Sequence, residues 1–162
     1  MYVDDGKLYV SSASLMKNTH ILERAYDITR DWLRRAGLDV DRVKRELMHY
    51  TRRKCDEQSP SARLSNGDGS FSTVTTSSTV RWLGIFFDRK LLFNRHVQTL
   101  AARAENTVQG LTMLANTVRG LHQMHMRHLY KACVIPVMFY GAAVWWTGKK
   151  CHVNALEKVQ RR

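Results

Sequence analysis

Near its amino end the chain sets two adjacent acids, Asp4 and Asp5, just ahead of Gly6 and between two apolar runs, Tyr2-Val3 and Leu8-Tyr9-Val10. That order predicts a β-hairpin whose turn carries both carboxylates. A lone two-stranded hairpin is marginal in water, so the residues that follow must supply a layer to pack on it. Two carboxylates side by side also repel unless one is protonated or a divalent cation lies between them. Asp4 and Asp5 are therefore candidate metal ligands, while an Asp-Gly pair equally serves as an ordinary exposed turn.

The packing layer is predicted next. Ile21, Ala25, Ile28, Trp32 and Ala36 recur at three- and four-residue steps, and Leu22 and Leu33 widen the stripe, which predicts a helix with its apolar face on the hairpin. Asn18 or Thr19 is the expected cap and Gly37 the stop. Leu38-Asp39-Val40 and Glu46 to Tyr50 read as short strands around the charged turn Asp41 to Arg45. From Thr51 to Thr79 the chain is polar and rich in Ser and Thr, with Pro60 and an Asn66-Gly67-Asp68-Gly69 turn; mobile surface is expected there, with one edge strand at Phe71 to Thr75. The basic cluster Arg52-Arg53-Lys54 reads as a solvated loop. Val80 to Asp88 returns as an apolar strand or hairpin, in which Gly84 marks a sharp bend or a close backbone approach.

Beyond Asp88 the periodicity is helical. One helix is expected from a cap at Asn94 to about Ala115, a second from about His122 to Trp146 kinked at Pro136, and a third from near Val153 with Leu156 and Val159 on one side. Three such helices form a small bundle. The net charge is +12, and residues 81–162 hold 13 Lys/Arg against 3 Asp/Glu, whereas residues 1–80 hold 13 against 11. An excess gathered in one half points to a polyanion, with nucleic acid ahead of an anionic membrane. Arg95, Arg103, Arg119, Arg127, Lys131 and Lys158 are the candidate phosphate contacts. His122, His125 and His128 lack companion ligands at zinc spacing and read as a polar helix face. Cys55, Cys133 and Cys151 are too far apart for a paired framework and are expected as reduced thiols. No run reaches membrane-spanning length and no secretory signal pattern is present, so an intracellular product with no membrane partner is expected.

The string Tyr2-Val3-Asp4-Asp5 resembles the Tyr-x-Asp-Asp motif of reverse transcriptases, and the segments after it follow the order of a non-LTR (LINE-type) retrotransposon polymerase through palm and thumb. The resemblance runs from Met1 to Arg162. It implies an α+β fold: a partial palm of hairpin, helix and short strands over residues 1–88, then a helical thumb over 89–162, truncated in its third helix. Asp4 and Asp5 would be two of three carboxylates holding a pair of Mg2+ ions. The third belongs to an earlier motif that this chain lacks, so the isolated chain is expected to be inactive. Lys44, in the turn that matches motif D, would sit near the departing pyrophosphate, with Arg45 as its neighbour alternative. Trp82, Leu83 and Gly84 match the primer grip, and Tyr2 would line the nucleic acid with them. The implied partners are an RNA template, a DNA primer and the N-terminal palm and fingers of a parent polymerase, in the nucleus. The competing reading is a stand-alone basic helical domain that binds nucleic acid without catalysis, Asp4-Asp5 being only a turn.

Overall fold

The computed structural model describes residues 5–53, 59–115 and 120–161. The fold is α+β, and the chain divides into two units, Met1–Val80 and Arg81–Arg162.

In the first unit, α1 (Leu15–Arg35) starts one turn earlier than expected. Ser14 is its N-cap, with the hydroxyl oxygen accepting from the Lys17 N–H at 3.4 Å. Asn18 and Thr19 thus lie inside the helix and are buried, and Thr19 turns its hydroxyl onto the Leu15 carbonyl at 3.0 Å. The other end agrees with expectation. Gly37 takes φ +75°, its N–H reaches the Arg34 carbonyl, and the Leu38 N–H reaches Leu33 at 2.9 Å. This paired closure needs a residue free to enter the left-handed region.

The face that α1 buries is a correction. Asn18, Thr19 and Tyr26 are the buried positions, while Ile28 is 73% and Trp32 59% exposed and Ile21 is also exposed. The hairpin meant to receive that stripe is not seen: Leu8 to Val10 forms no strand and Tyr9 is 80% exposed, while Tyr2 to Asp4 lie outside the described residues. What packs on α1 is a different hairpin, β1 (Ala62–Ser65) with β2 (Phe71–Val74), paired antiparallel from Ala62↔Val74 to Ser65↔Phe71. The Glu23 carboxylate accepts the Arg63 N–H at 2.7 Å and ties helix to strand.

β2 stands where an edge strand was expected at Phe71 to Thr75, while β1 and the ordered loop correct the expectation of mobile surface for Ala62 to Ser70. The loop is held by the Asn66 N–H on the Ser70 carbonyl, by Gly67 and Gly69 at positive φ, and by Asp68, which accepts from the Ser70 N–H at 2.9 Å. The Ser70 hydroxyl, which also donates to Asp68, and then this N–H and Arg42 hold the Asp68 carboxyl down at about 2. The two strands expected at Leu38–Val40 and Glu46–Tyr50 are absent; Leu47 makes a single parallel bridge to Thr76. His49 instead donates from Nε2 to the Pro60 carbonyl at 2.8 Å. Arg45 is built into this unit, with Nη1 2.9 Å from Asn66 Oδ1 and 3.0 Å from Ser72 Oγ, and its guanidinium 5.2 Å from the Tyr26 ring centroid.

The second unit begins within a hairpin, β3 (Thr79–Trp82) and β4 (Ile85–Asp88), whose first two residues close the first unit. Its two turn residues, Leu83 and Gly84, both have positive φ, +46° and +79°. That turn type suits the twist of the strands, yet a leucine held there costs about 1–3 kcal/mol. Past β4 the Asp88 carboxylate accepts the N–H groups of Leu92 at 2.9 Å and Phe93 at 2.7 Å. It folds a loop in which Leu91 and Phe93 are also left-handed and drops Phe93 into the core. Phe93, not Asn94, is the N-cap of α2 (Asn94–Thr112); Asn94 spends its side chain accepting from His152 Nε2 at 3.0 Å.

A continuous helical stretch then runs through α3 (Gln123–Leu129), a π-helical turn (Tyr130–Val134) and α4 (Ile135–Met138). The π turn lies where Pro136 removes a backbone donor: the Ile135 N–H reaches back five residues to the Tyr130 carbonyl, which absorbs the missing bond. The stretch ends at Met138, not at Trp146 as expected, because Gly141 turns the chain at φ +66° into the short α5 (Ala142–Trp145). The last helix, α6 (Lys150–Gln160), buries His152, Leu156 and Val159. Ile85, Phe93, Val97, Leu100, Ala104, Val134, Met138, Trp145, Leu156 and Val159 make one core.

Two histidines border that core. The His96 and His152 rings stand edge-on to Trp145, at 5.8 and 6.3 Å, and both are buried. His96 Nδ1 accepts from the Phe86 N–H at 3.5 Å, so protonation would set a donor against a donor. Burial, then Arg103, lowers the His96 pKa, and burial, then Lys149, lowers that of His152. A histidine that binds its proton less readily when folded stabilises the fold fully above its unfolded pKa, near 6.5, and that stability is lost as pH falls through the folded pKa. The urea midpoint followed by tryptophan fluorescence is therefore expected to fall between about pH 7.5 and about pH 5.5, with part of the fall absent in His152→Gln. Arg45→Ala is expected to lower stability by about 1.5–3 kcal/mol in chemical denaturation, whereas Lys44→Ala should change it by less than about 0.5 kcal/mol.

Candidate nucleic-acid interface

In the first unit the acidic turn is only partly in view. Asp5 is exposed and makes one isolated β-bridge; Tyr2 and Asp4 lie outside the described residues. Carboxylate oxygens are hard donors of the kind Mg2+ prefers. Among the described residues, however, no three His, Cys, Asp or Glu side chains are gathered closely enough to hold a metal ion, so the fit is one of donor type and not of a complete ligand set. His122, first of the three spaced histidines, uses Nδ1 to accept the Met124 N–H at 3.3 Å as the N-cap of α3.

Lys44 stands in the turn before Arg45, 84% exposed, with Nζ 3.4 Å from Asp41. Arg45 is already committed to Asn66, Ser72 and Tyr26. Of the two cations, Lys44 is the one whose charge can be turned toward a ligand.

In the second unit the aromatic residues of the β3–β4 hairpin order its neighbours. Trp82 and Phe87 lie 6.4 Å apart and Phe87 and Phe93 5.8 Å apart, and Trp82, Leu83 and Gly84 are half-buried. Phe86 carries two guanidinium groups, Arg95 at 5.0 Å and Arg81 at 5.7 Å from the ring centroid. Each such contact holds a cation at an exposed site by about 0.5–1 kcal/mol. The hairpin and the first turn of α2 are thereby joined into one basic, aromatic surface. Sequence reasoning picked out Arg95 and missed Arg81. The missed signal was strand alternation: Arg81 is the exposed residue between half-buried Val80 and Trp82.

Little negative charge answers these cations. Of the three acids in residues 81–162, Asp88 is occupied by backbone N–H groups and Glu157 pairs with Arg161 at 2.9 Å. Arg95, Arg103, Arg127 and Lys131 are all exposed, and none forms an ion pair among the described residues. Arg127 on α3 and Lys131 in the π turn stand one turn apart. Arg119 lies outside the described residues. No described helix is long and apolar enough to cross a membrane.

Comparison with known proteins gives a consistent set of names. The chain is 24% identical over 163 residues, 99% of its length, to the RNA-directed DNA polymerase from mobile element jockey of Drosophila melanogaster. It is 29% identical over 85 residues to the probable RNA-directed DNA polymerase from transposon BS of the same fly. It is 20% identical over 162 residues to the retrovirus-related Pol polyprotein from type-1 retrotransposable element R1 of Nasonia vitripennis. The chain spans 17% of the jockey protein, 9% of the BS protein and 48% of the R1 protein. No family model matches the chain and no solved structure matches it. Over nearly its whole length the chain is similar to RNA-directed DNA polymerases from LINE-type mobile elements.

Proposed function

We propose that the chain is the C-terminal palm and thumb of a retrotransposon reverse transcriptase, and that its second unit grips a template–primer duplex. The observation that carries this reading is the Arg81–Phe86–Arg95 cluster beside the Leu83–Gly84 turn, on a unit where exposed Arg95, Arg103, Arg127 and Lys131 form no ion pair among the described residues. Guanidinium groups held on an aromatic ring are pre-set to meet phosphates, and half-buried Trp82 and Leu83 offer apolar contact to a sugar or base. In this reading the palm portion runs through Asp88 and the thumb follows it, with Arg103, Arg127 and Lys131 further along the duplex.

Asp4 and Asp5 would hold Mg2+, which when bound lowers the pKa of a primer hydroxyl and steadies the leaving pyrophosphate. Lys44 would neutralise charge on that leaving group. The resemblance supplies two of the three carboxylates, so the 162-residue chain alone is proposed to be inactive. The exposed Ile21, Ile28 and Trp32 stripe on α1 supports the same view, since an apolar surface of that kind fits the N-terminal palm and fingers of a parent polymerase.

One observation favours a second reading, a stand-alone nucleic-acid-binding domain: the second unit has its own core and carries most of the net positive charge. In that case duplex affinity would be indifferent to Mg2+ and to Asp4→Asn or Asp5→Asn.

Two measurements test the proposal. Duplex affinity, read by fluorescence anisotropy across a salt series, is expected to fall linearly on logarithmic axes, and Arg81→Ala and Arg95→Ala should each lower the slope by about 1; unchanged slopes sink the interface. In a primer-extension assay with Mg2+ the isolated chain is expected to give no product, and template-directed synthesis would overturn the inactivity.

A further inference from the structure

We infer that Tyr140 is a positioning residue: it latches the Leu83–Gly84 turn in its left-handed shape and so fixes how the hairpin tip meets the end of a duplex. The claim rests on the reading above for what the tip touches, and on geometry alone for what holds it.

Leucine does not settle at φ +46° without help. The help comes from 57 residues away, where the Tyr140 hydroxyl donates to the Leu83 carbonyl at 2.9 Å. Its ring lies against the next residue as well. A Cβ built at Gly84 would sit 3.1 Å from Tyr140 Cε1 and 3.2 Å from the hydroxyl, so a side chain there would be strained by the φ of +79° and would push the ring back by a few tenths of an ångström.

The latch is itself anchored. Trp145, fully buried, donates its indole N–H to the Tyr140 carbonyl at 2.8 Å. At Gly141, φ +66°, an added Cβ would come within 2.7 Å of Ile85 Cδ1, so the turn bearing Tyr140 presses directly on the first residue of β4. Core, tyrosine and hairpin tip form one connected path, and each glycine lies against a side chain of the other segment, Gly84 against Tyr140 and Gly141 against Ile85. The ring nevertheless remains half-exposed, so its hydroxyl is spent on a strained surface turn.

The test uses the full chain and separates the turn from its ligand. Hydrogen exchange at the Gly84 and Ile85 amides reads the turn directly. A recessed primer–template with 2-aminopurine at the primer 3′ end reads its contact with a duplex terminus, and anisotropy reads overall affinity. Tyr140→Phe, which keeps the ring, is expected to speed exchange about fivefold, the factor of one ordinary hydrogen bond. It should also reduce the 2-aminopurine response at least about twofold while leaving the salt slope unchanged, because phosphate contacts are untouched. Adding Leu83→Asn, which tolerates the left-handed region, should return exchange to within about twofold of wild type, since the latch then has no strain to hold.

Unchanged exchange in Tyr140→Phe overturns the latch. Faster exchange with an unchanged 2-aminopurine response overturns the positioning role, as does an equal loss of terminal response and overall affinity. A wild-type chain that binds no duplex fails before any variant is compared, and that failure belongs to the proposed function.

Discussion

The second unit depends on the burial of one side chain. Trp145 is wholly enclosed, and its surroundings come from distant parts of the chain: His96 from α2, His152 from α6 and the Tyr140 carbonyl from the turn before α5. An indole in such a place contributes a large apolar area and demands a partner for its single polar atom. Meeting both conditions draws the last third of the unit onto α2. The same bond to Tyr140 carries that order outward to the hairpin, so the part proposed to touch nucleic acid is braced by the part that never sees it.

A second organising group is Asp88. Its carboxylate takes two consecutive backbone donors and stabilises a loop that bends apolar residues into left-handed conformations. One of the three acids in this half of the chain thereby has both carboxylate oxygens bonded to backbone N–H groups. Arg45 plays the matching part in the first unit, where a guanidinium bonded to Asn66 and Ser72 acts as structure while Lys44 beside it is held only by an exposed ion pair with Asp41.

The helices were the most legible part of the sequence, because α2 and α6 bury the residues that their periodicity marks, Val97, Leu100 and Ala104 in one and Leu156 and Val159 in the other. Gly37 as a stop and Pro136 as a disturbance were readable for the same reason: each removes a specific backbone option. What could not be read were choices set by distant partners. Nothing local reveals that Asn18, Thr19 and Tyr26, not Ile21, Ile28 and Trp32, form the inner face of α1, since that depends on which hairpin arrives. Ala62 to Ser65 is too short and too polar to announce a strand. In the candidate site, Arg95 was visible as unpaired charge, whereas Arg81 and Tyr140 act through contacts that only folding creates.

That misread inner face has a practical side. A helix that shows Ile28 and Trp32 to water gives a free polypeptide a sticky flank, and sticky flanks invite self-association and capture by cellular quality control. Handled by itself, this protein should need a solubilising fusion or a mild detergent that its charge alone, at +12, would not lead one to expect.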